Sequence, residues 1–129
     1  MPDRPLNRIC YVEDDEDIQR IVRMSLERLG KMTVHIVGDP TMAIDAMNSF
    51  KPDLVMLDWM MPKLDGPALF KLMQTLPETQ ALPVVFITAK ASQRDLDQLM
   101  KLGAAATISK PFNPKDLPEQ LREIWKNLP

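Results

Sequence analysis

The chain has 129 residues, enough for one domain and too few for a comfortable second. It is 45% hydrophobic, so it can bury a core, and 16 Lys+Arg against 18 Asp+Glu leave a net charge of −2. No basic stripe stands out, which argues against nucleic-acid binding, and no apolar run approaches the length of a membrane span. Residues 1 to 8 hold no apolar signal region, and the single cysteine, Cys10, excludes an internal disulfide framework. A reducing cytoplasm suits such a chain, with Cys10 as a core thiol.

The first apolar run, Ile9 to Val12, passes directly into five acids, Glu13 to Asp17. It reads as a buried strand that surfaces into negative charge. Ile18, Ile21, Val22, Leu26 and Leu29 then repeat with a helical period, and Gly30 can end that helix. Asp15 suits its cap, and Glu16 and Asp17 suit a positive helix start. Thr33–Val37 is a second strand. Asp39-Pro40 opens a second helix, with Ala43, Ile44, Met47 and Phe50 inward. Leu54–Leu57 is a third strand, ending on Asp58. Leu69, Leu72, Met73 and Leu76 make a third helix, stopped by Pro77. Val84–Thr88 is a fourth strand. Ser92 with Asp95 reads as a capping box for a fourth helix, with Leu96, Leu99 and Met100 inward and Gly103 after it. Ala105–Ser109 is a fifth strand, and Leu117, Leu121, Ile124, Trp125 and Leu128 mark a fifth helix, whose start Pro118 leaves open.

This alternation is (βα)5: an α/β fold, doubly wound, with a five-stranded parallel sheet between helices. Three of the strands are nearly continuous in apolar character, as strands covered on both faces are. In such sheets ligands bind beyond the carboxyl ends of the strands. There the chain places Glu13, Asp14 and Asp15, then Asp58, Thr88 and Ser109-Lys110-Pro111.

Clustered carboxylates repel unless a proton or a cation relieves them. An all-oxygen set suits Mg2+, with Mn2+ as its nearest substitute, rather than zinc. Only Cys10 and His35 offer softer ligands, and both fall in predicted strands. Singly, the groups are unremarkable: Glu13 and Asp14 as caps or solvated charges, Thr88 as a strand residue, Lys110 as a surface lysine. The weight lies in their conjunction, and in Asp58 at the end of "LVMLD".

"YVEDD", "PDLVMLDWMMPKLDG", "VVFITAK" and "GAAATISKPF" occur in this order and spacing. In these motifs the chain resembles the receiver domains of two-component response regulators, of the chemotaxis-regulator type, over about residues 7 to 127. The resemblance implies a single receiver domain over 1–129, a flavodoxin-like fold and strand order 2-1-3-4-5, the order common to that fold. It implies that Asp58 is the phosphoacceptor, and that Glu13, Asp14, Asp58 and the backbone carbonyl of Met60 hold Mg2+. Thr88 would bind the phosphoryl group and Lys110 would pair with it. Ala89 would be the small residue after that threonine, Lys110-Pro111 a cis bond, and Asp65-Gly66 the turn before the third helix. Partners implied are a sensor histidine kinase or phosphotransfer protein, and a downstream protein at the fourth helix, fifth strand and fifth helix. The chain would be no enzyme beyond its own phosphorylation and dephosphorylation.

One departure stands out. The family's switch aromatic in the fifth strand is Thr107 here, so the partnership of Thr88 with that residue cannot work by ring bulk. Met60 and Lys90 occupy positions that tune dephosphorylation in the family. Other readings are a degenerate receiver serving as an unphosphorylated scaffold, or a haloacid dehalogenase-type phosphatase. The phosphatase needs an acid at position 60, where Met60 stands. A flavodoxin-like cofactor site would need a Gly/Ser/Thr phosphate loop in place of the acids at 13 to 15. His35 reads as structural, Trp59 as rim of the site, and Trp125 as packing or partner surface.

Overall fold

A computed structural model describes residues 2–89 and 92–129. Five strands alternate with five helices: β1 Arg8–Val12, α1 Glu16–Met24, β2 Thr33–Val37, α2 Ala43–Phe50, β3 Leu54–Asp58, α3 Gly66–Thr75, β4 Val84–Thr88, α4 Gln93–Leu102, β5 Ala106–Ser109 and α5 Leu117–Lys126. The strands form one sheet in the order β2-β1-β3-β4-β5, and every pairing is parallel. The doubly wound fold and strand order expected above are therefore both present.

Side chains alternate across the sheet, and two apolar layers follow from that period. Ile9, Tyr11, Met56, Val85 and Ile87 join Val22, Leu26, Leu121 and Trp125, so α1 and α5 cover one face. Cys10, Val12, Val55, Leu57 and Phe86 join Met47, Leu69, Met73 and Leu99, so α2, α3 and α4 cover the other. Cys10 is fully buried, and burial pushes its thiol up to about 12, which makes it inert core. His35 is exposed and stacks on Phe50, whereas Trp125 is buried with its indole N–H donating to the Arg4 carbonyl at 2.8 Å and is a packing residue. Among the described residues no helix is long and apolar enough to cross a membrane.

The helix ends are made by the residues that local chemistry predicts. Asp15 accepts from the N–H groups of Asp17 and Ile18, and Asp65 from that of Ala68. Ser92 and Asp95 close a reciprocal capping box. Asp39 caps a short turn, Pro40–Met42, that leads into α2. Gly103, at φ 112°, ends α4 in the left-handed region where a side chain would be strained. Pro118 sits in the first turn of α5, where its missing N–H costs nothing, so α5 begins at Leu117.

Four expected inward residues are instead exposed: Ile21, Leu29, Leu72 and Met100. After Met24 the first helix widens into a π-helical turn, Ser25–Leu29, which rotates Leu29 off the 3.6-residue phase and into solvent. Along α4 only Leu99 is buried, so that helix docks by a narrow seam and Met100 falls outside it.

Asp53, just before β3, carries a role that its loop position conceals. Its Oδ2 accepts from the backbone N–H of Asn7 at 3.0 Å and of Arg8 at 2.8 Å, and Arg4 pairs with Oδ1. Burial alone would raise its pKa, but these donors hold the carboxyl below its usual range. Asp53→Ala leaves two N–H groups at the start of β1 without a partner. Chemical unfolding should show a loss of about 2 kcal/mol, the cost of losing two part-buried hydrogen bonds to a carboxylate. Because the carboxyl is held low, its contribution is complete above about pH 4 and fades as pH falls through the lowered value.

Candidate functional site

The register of the sheet sets the strand ends side by side. Val12 pairs with Leu57, Asp58 with Ile87, and Thr88 with Ser109. The residues that follow β1 and β5, and those that end β3 and β4, thus share one edge. Glu13, Asp58 and Thr88 are buried there, while Asp14 is exposed. One carboxylate oxygen each from Glu13, Asp14 and Asp58 lie within 4.8 Å of one another.

Lys110 crosses to this group from the end of β5. Its Nζ donates to Glu13 Oε1 at 2.8 Å and to Asp58 Oδ1 at 3.1 Å. Its backbone N–H donates to the Thr88 carbonyl at 2.8 Å, which fixes the start of the loop, and the Lys110–Pro111 bond is cis. Asp58, Lys110 and Glu13, expected together at the strand ends, are therefore in direct contact.

The electrostatics follow from burial and proximity. Burial, then the hydrogen bond and charge of Glu13, push Asp58 up to about 6. Burial would also raise Glu13, but Lys110 first, then Asp58 and Tyr11, outweigh it and hold Glu13 below its usual value. Burial disfavours the Lys110 ammonium, yet Glu13 and Asp58 more than compensate and raise its pKa. The donor set is all oxygen and largely buried, and among the described residues its negative charge exceeds the positive charge that Lys110 brings to it. It fits a small hard cation without strain on its chemistry.

Known proteins resemble this chain in sequence and fold. The family model for the response regulator receiver domain matches residues 9–122. This chain belongs to the response regulator receiver domain family. It is 34% identical over 121 residues to the phosphate regulon transcriptional regulatory protein PhoB of Klebsiella pneumoniae, covering 94% of this chain and 52% of that protein. The Escherichia coli protein of that name is 33% identical over the same length. The chain thus spans about half the length of the curated relatives it matches. Among solved structures, the signal receiver domain of a DNA binding response regulator from Colwellia psychrerythraea superposes with TM-score 0.83 at 27% identity, covering 94% of this chain and 99% of that one. The Vibrio cholerae chemotaxis protein CheY4 shares the fold, with TM-score 0.84 at 23% identity over 92% of this chain and 98% of that one.

In this receiver the acidic cluster of Glu13, Asp14 and Asp58 is consistent with a phosphoacceptor site. Met60, two residues after Asp58, is 74% exposed and offers no acid or base to water. Trp59, next to Asp58 in the chain, is half-buried with its ring 6.4 Å from that of Phe86. Thr107 is half-buried in β5 and in register with Phe86. Residues in register share a face of a parallel sheet, so Thr107 stands beside an aromatic group, Phe86 with Phe70 edge-on at 5.5 Å, rather than supplying a ring itself. Ala89 is exposed after Thr88, and Lys90 lies outside the described residues.

Two features escaped the sequence reading. Tyr11 is fully buried beneath the site, and its hydroxyl donates to Glu13 Oε1 at 2.9 Å. Burial, then Glu13, raise its pKa far above the ordinary, so it stays a protonated donor. The period of two places residues 11 and 13 on one face, a signal that was available. Lys63, at φ 72°, reaches Asp39 Oδ2 at 3.0 Å and ties the loop after β3 to the loop after β2. The Thr41 hydroxyl, then Lys63, lower Asp39 to about 2.

Proposed function

We propose that this receiver is a phosphoacceptor switch in which Asp58 takes a phosphoryl group from a phosphohistidine on a partner kinase or phosphotransfer protein. The observation that carries the reading is the meeting of Glu13, Asp14, Asp58 and Lys110 at one sheet edge, with Lys110 bridging Glu13 and Asp58. An Asp58 oxygen attacks phosphorus, the new O–P bond forms, and the leaving imidazole keeps the electron pair of the broken P–N bond. Such transfer asks mainly for positioning and for neutralised phosphoryl oxygens. Lys110 is within reach of Asp58 and neutralises one of them, and the Thr88 hydroxyl at the end of β4 holds another. Mg2+, bound through Glu13, Asp14, Asp58 and the Met60 carbonyl, would supply the remaining positive charge.

The product is an acyl phosphate. Attack by water on its phosphorus releases phosphate and restores the Asp58 carboxylate, so the chain resets itself and turns over no other substrate. Thr88, drawn toward the phosphoryl group, biases the α4–β5–α5 face that a downstream protein reads. The partly exposed Met100 and Leu102 on α4 support a protein contact in that region. With Thr107 in place of a switch ring, the change reaches that face through Thr107 and its neighbour Phe86. A cytoplasmic setting fits the donor chemistry and the unpaired Cys10.

A phosphate-affinity gel after incubation with Mg2+ and acetyl phosphate tests this. We expect a Mg2+-dependent shifted band that Asp58→Asn and a metal-free control both lack. A folded chain that never shifts overturns the reading and leaves an unphosphorylated interaction scaffold on a receiver fold.

A further inference from the structure

We infer that Tyr11 is a positioning residue for the cation: its buried hydroxyl keeps Glu13 in the orientation that ligates. The inference rests on the function proposed above. Glu13 is only 1% exposed, and its two oxygens are differently held. Oε2 accepts from the Asp15 backbone N–H at 3.2 Å. Oε1 accepts from Tyr11 Oη at 2.9 Å and Lys110 Nζ at 2.8 Å. Of these donors Lys110 is the one that cannot stay. Its ammonium is shared with Asp58, would be repelled by a divalent cation held by these carboxylates, and would be drawn to the phosphoryl group. Tyr11 donates without charge, so a cation does not drive it away.

Tyr11 is also placed to be rigid. It lies one residue before the end of β1, flanked in register by Ile36 of β2 and Met56 of β3, and packs in the layer beneath α1 and α5. A hydroxyl fixed by the core can fix the carboxylate above it. Glutamate at position 13 is what makes the contact: an aspartate is one methylene shorter and would draw its oxygens back from Oη. Hydrogen-bond partners of metal ligands orient those ligands, and their loss weakens metal binding by tenfold or more.

The test is a Mg2+ titration of the full chain followed by tryptophan fluorescence, since Trp59 adjoins Asp58. Tyr11→Phe keeps the ring and removes only the hydroxyl. We expect its Kd for Mg2+ to rise about tenfold. In a Glu13→Asp background the same substitution should change Kd by less than about twofold, because the coupling between the two groups is already gone. Tyr11→Phe that binds Mg2+ as tightly as the unmodified chain overturns the inference, and so does an equal loss in both backgrounds, which marks a general structural effect.

If Tyr11→Phe does not fold, the unmodified chain still decides. Tyr11 is its single tyrosine, so one 13C label at the ring carbon that bears the hydroxyl gives one resonance. That resonance should move along the same Mg2+ curve as the fluorescence; a resonance that stays still overturns the inference. An unmodified chain that binds no Mg2+ removes the proposed function itself, whereas unaltered binding by Tyr11→Phe removes this inference alone.

Discussion

Lys110→Met lowers the unfolding free energy by about 3 kcal/mol in metal-free buffer well above pH 6, because it takes from two buried carboxylates the ammonium that bridges them. The lysine is 13% exposed, and the side chains it bridges are 1% exposed for Glu13 and 9% for Asp58. Methionine fills similar volume, so the loss isolates the charge. Three controls identify the cause. Added Mg2+ should restore part of the stability, since a cation binds the folded form of this cluster and not the unfolded chain. Asp58→Asn in the same chain should restore most of it, since one carboxylate then remains instead of two. Lower pH should also help. Burial and then Glu13 push Asp58 up to about 6, and Lys110 is a group that holds it down, so the loss of Lys110 raises it further. The folded variant then takes up a proton at a higher pH than the unmodified chain, so the penalty shrinks as pH falls toward about 6. Urea unfolding with and without Mg2+ measures all three. A loss under about 1 kcal/mol, the size of a surface pair, would mean that water already screens the cluster.

Gly66→Ala should damage fold and site together. A Cβ built at residue 66 meets the Asp58 carbonyl oxygen at 2.3 Å, the Asp58 carbonyl carbon at 3.1 Å and the Phe86 ring at 3.1 Å. The first two are backbone of the proposed phosphoacceptor, and no flexible chain end is available to yield. Gly66 starts α3, capped by Asp65, and its N–H donates to the Trp59 carbonyl at 2.9 Å, so the helix cannot back away without breaking that bond. We expect a loss of about 3 kcal/mol, the upper range for forcing atoms into a packed site. The displaced Asp58 should take phosphoryl from acetyl phosphate about 100-fold more slowly, the cost of a reacting group misplaced by roughly 1 Å. Gly38→Ala is the control. Its added Cβ meets only the tip of the Gln19 side chain at 3.3 Å, so stability should hold within about 0.5 kcal/mol. Equal behaviour of the two variants would show that α3 docks with slack beside Asp58.

Much of this molecule was decided by interactions within a few residues of chain, and those were legible without coordinates. The five strands appear where apolar runs predicted them, with β1 and β3 one residue longer and β5 one shorter; β1, β3 and β4 are apolar in long runs because both of their faces are covered. The caps at Asp15, Asp39, Asp65 and Ser92 were equally open to reading, since each carboxylate or hydroxyl bonds an N–H two or three residues on. The residues of the site were visible as polar groups ending apolar runs, and the family motifs assigned them roles. What failed were features that depend on helix phase or on distant partners. Leu29 followed an α-helical period that the π-turn broke, and Met100 lay beyond the narrow seam by which α4 docks. Asp53 closes the start of β1 from 45 residues away, which no local pattern announces. Tyr11 looked like one more core residue, because only the folded sheet sets its hydroxyl within 2.9 Å of Glu13 and leaves it no water to prefer. Periodicity and capping are properties of neighbouring residues and survive in one dimension. Which carboxylate shares which donor is a matter of distances between strands, and those exist only once the chain has folded.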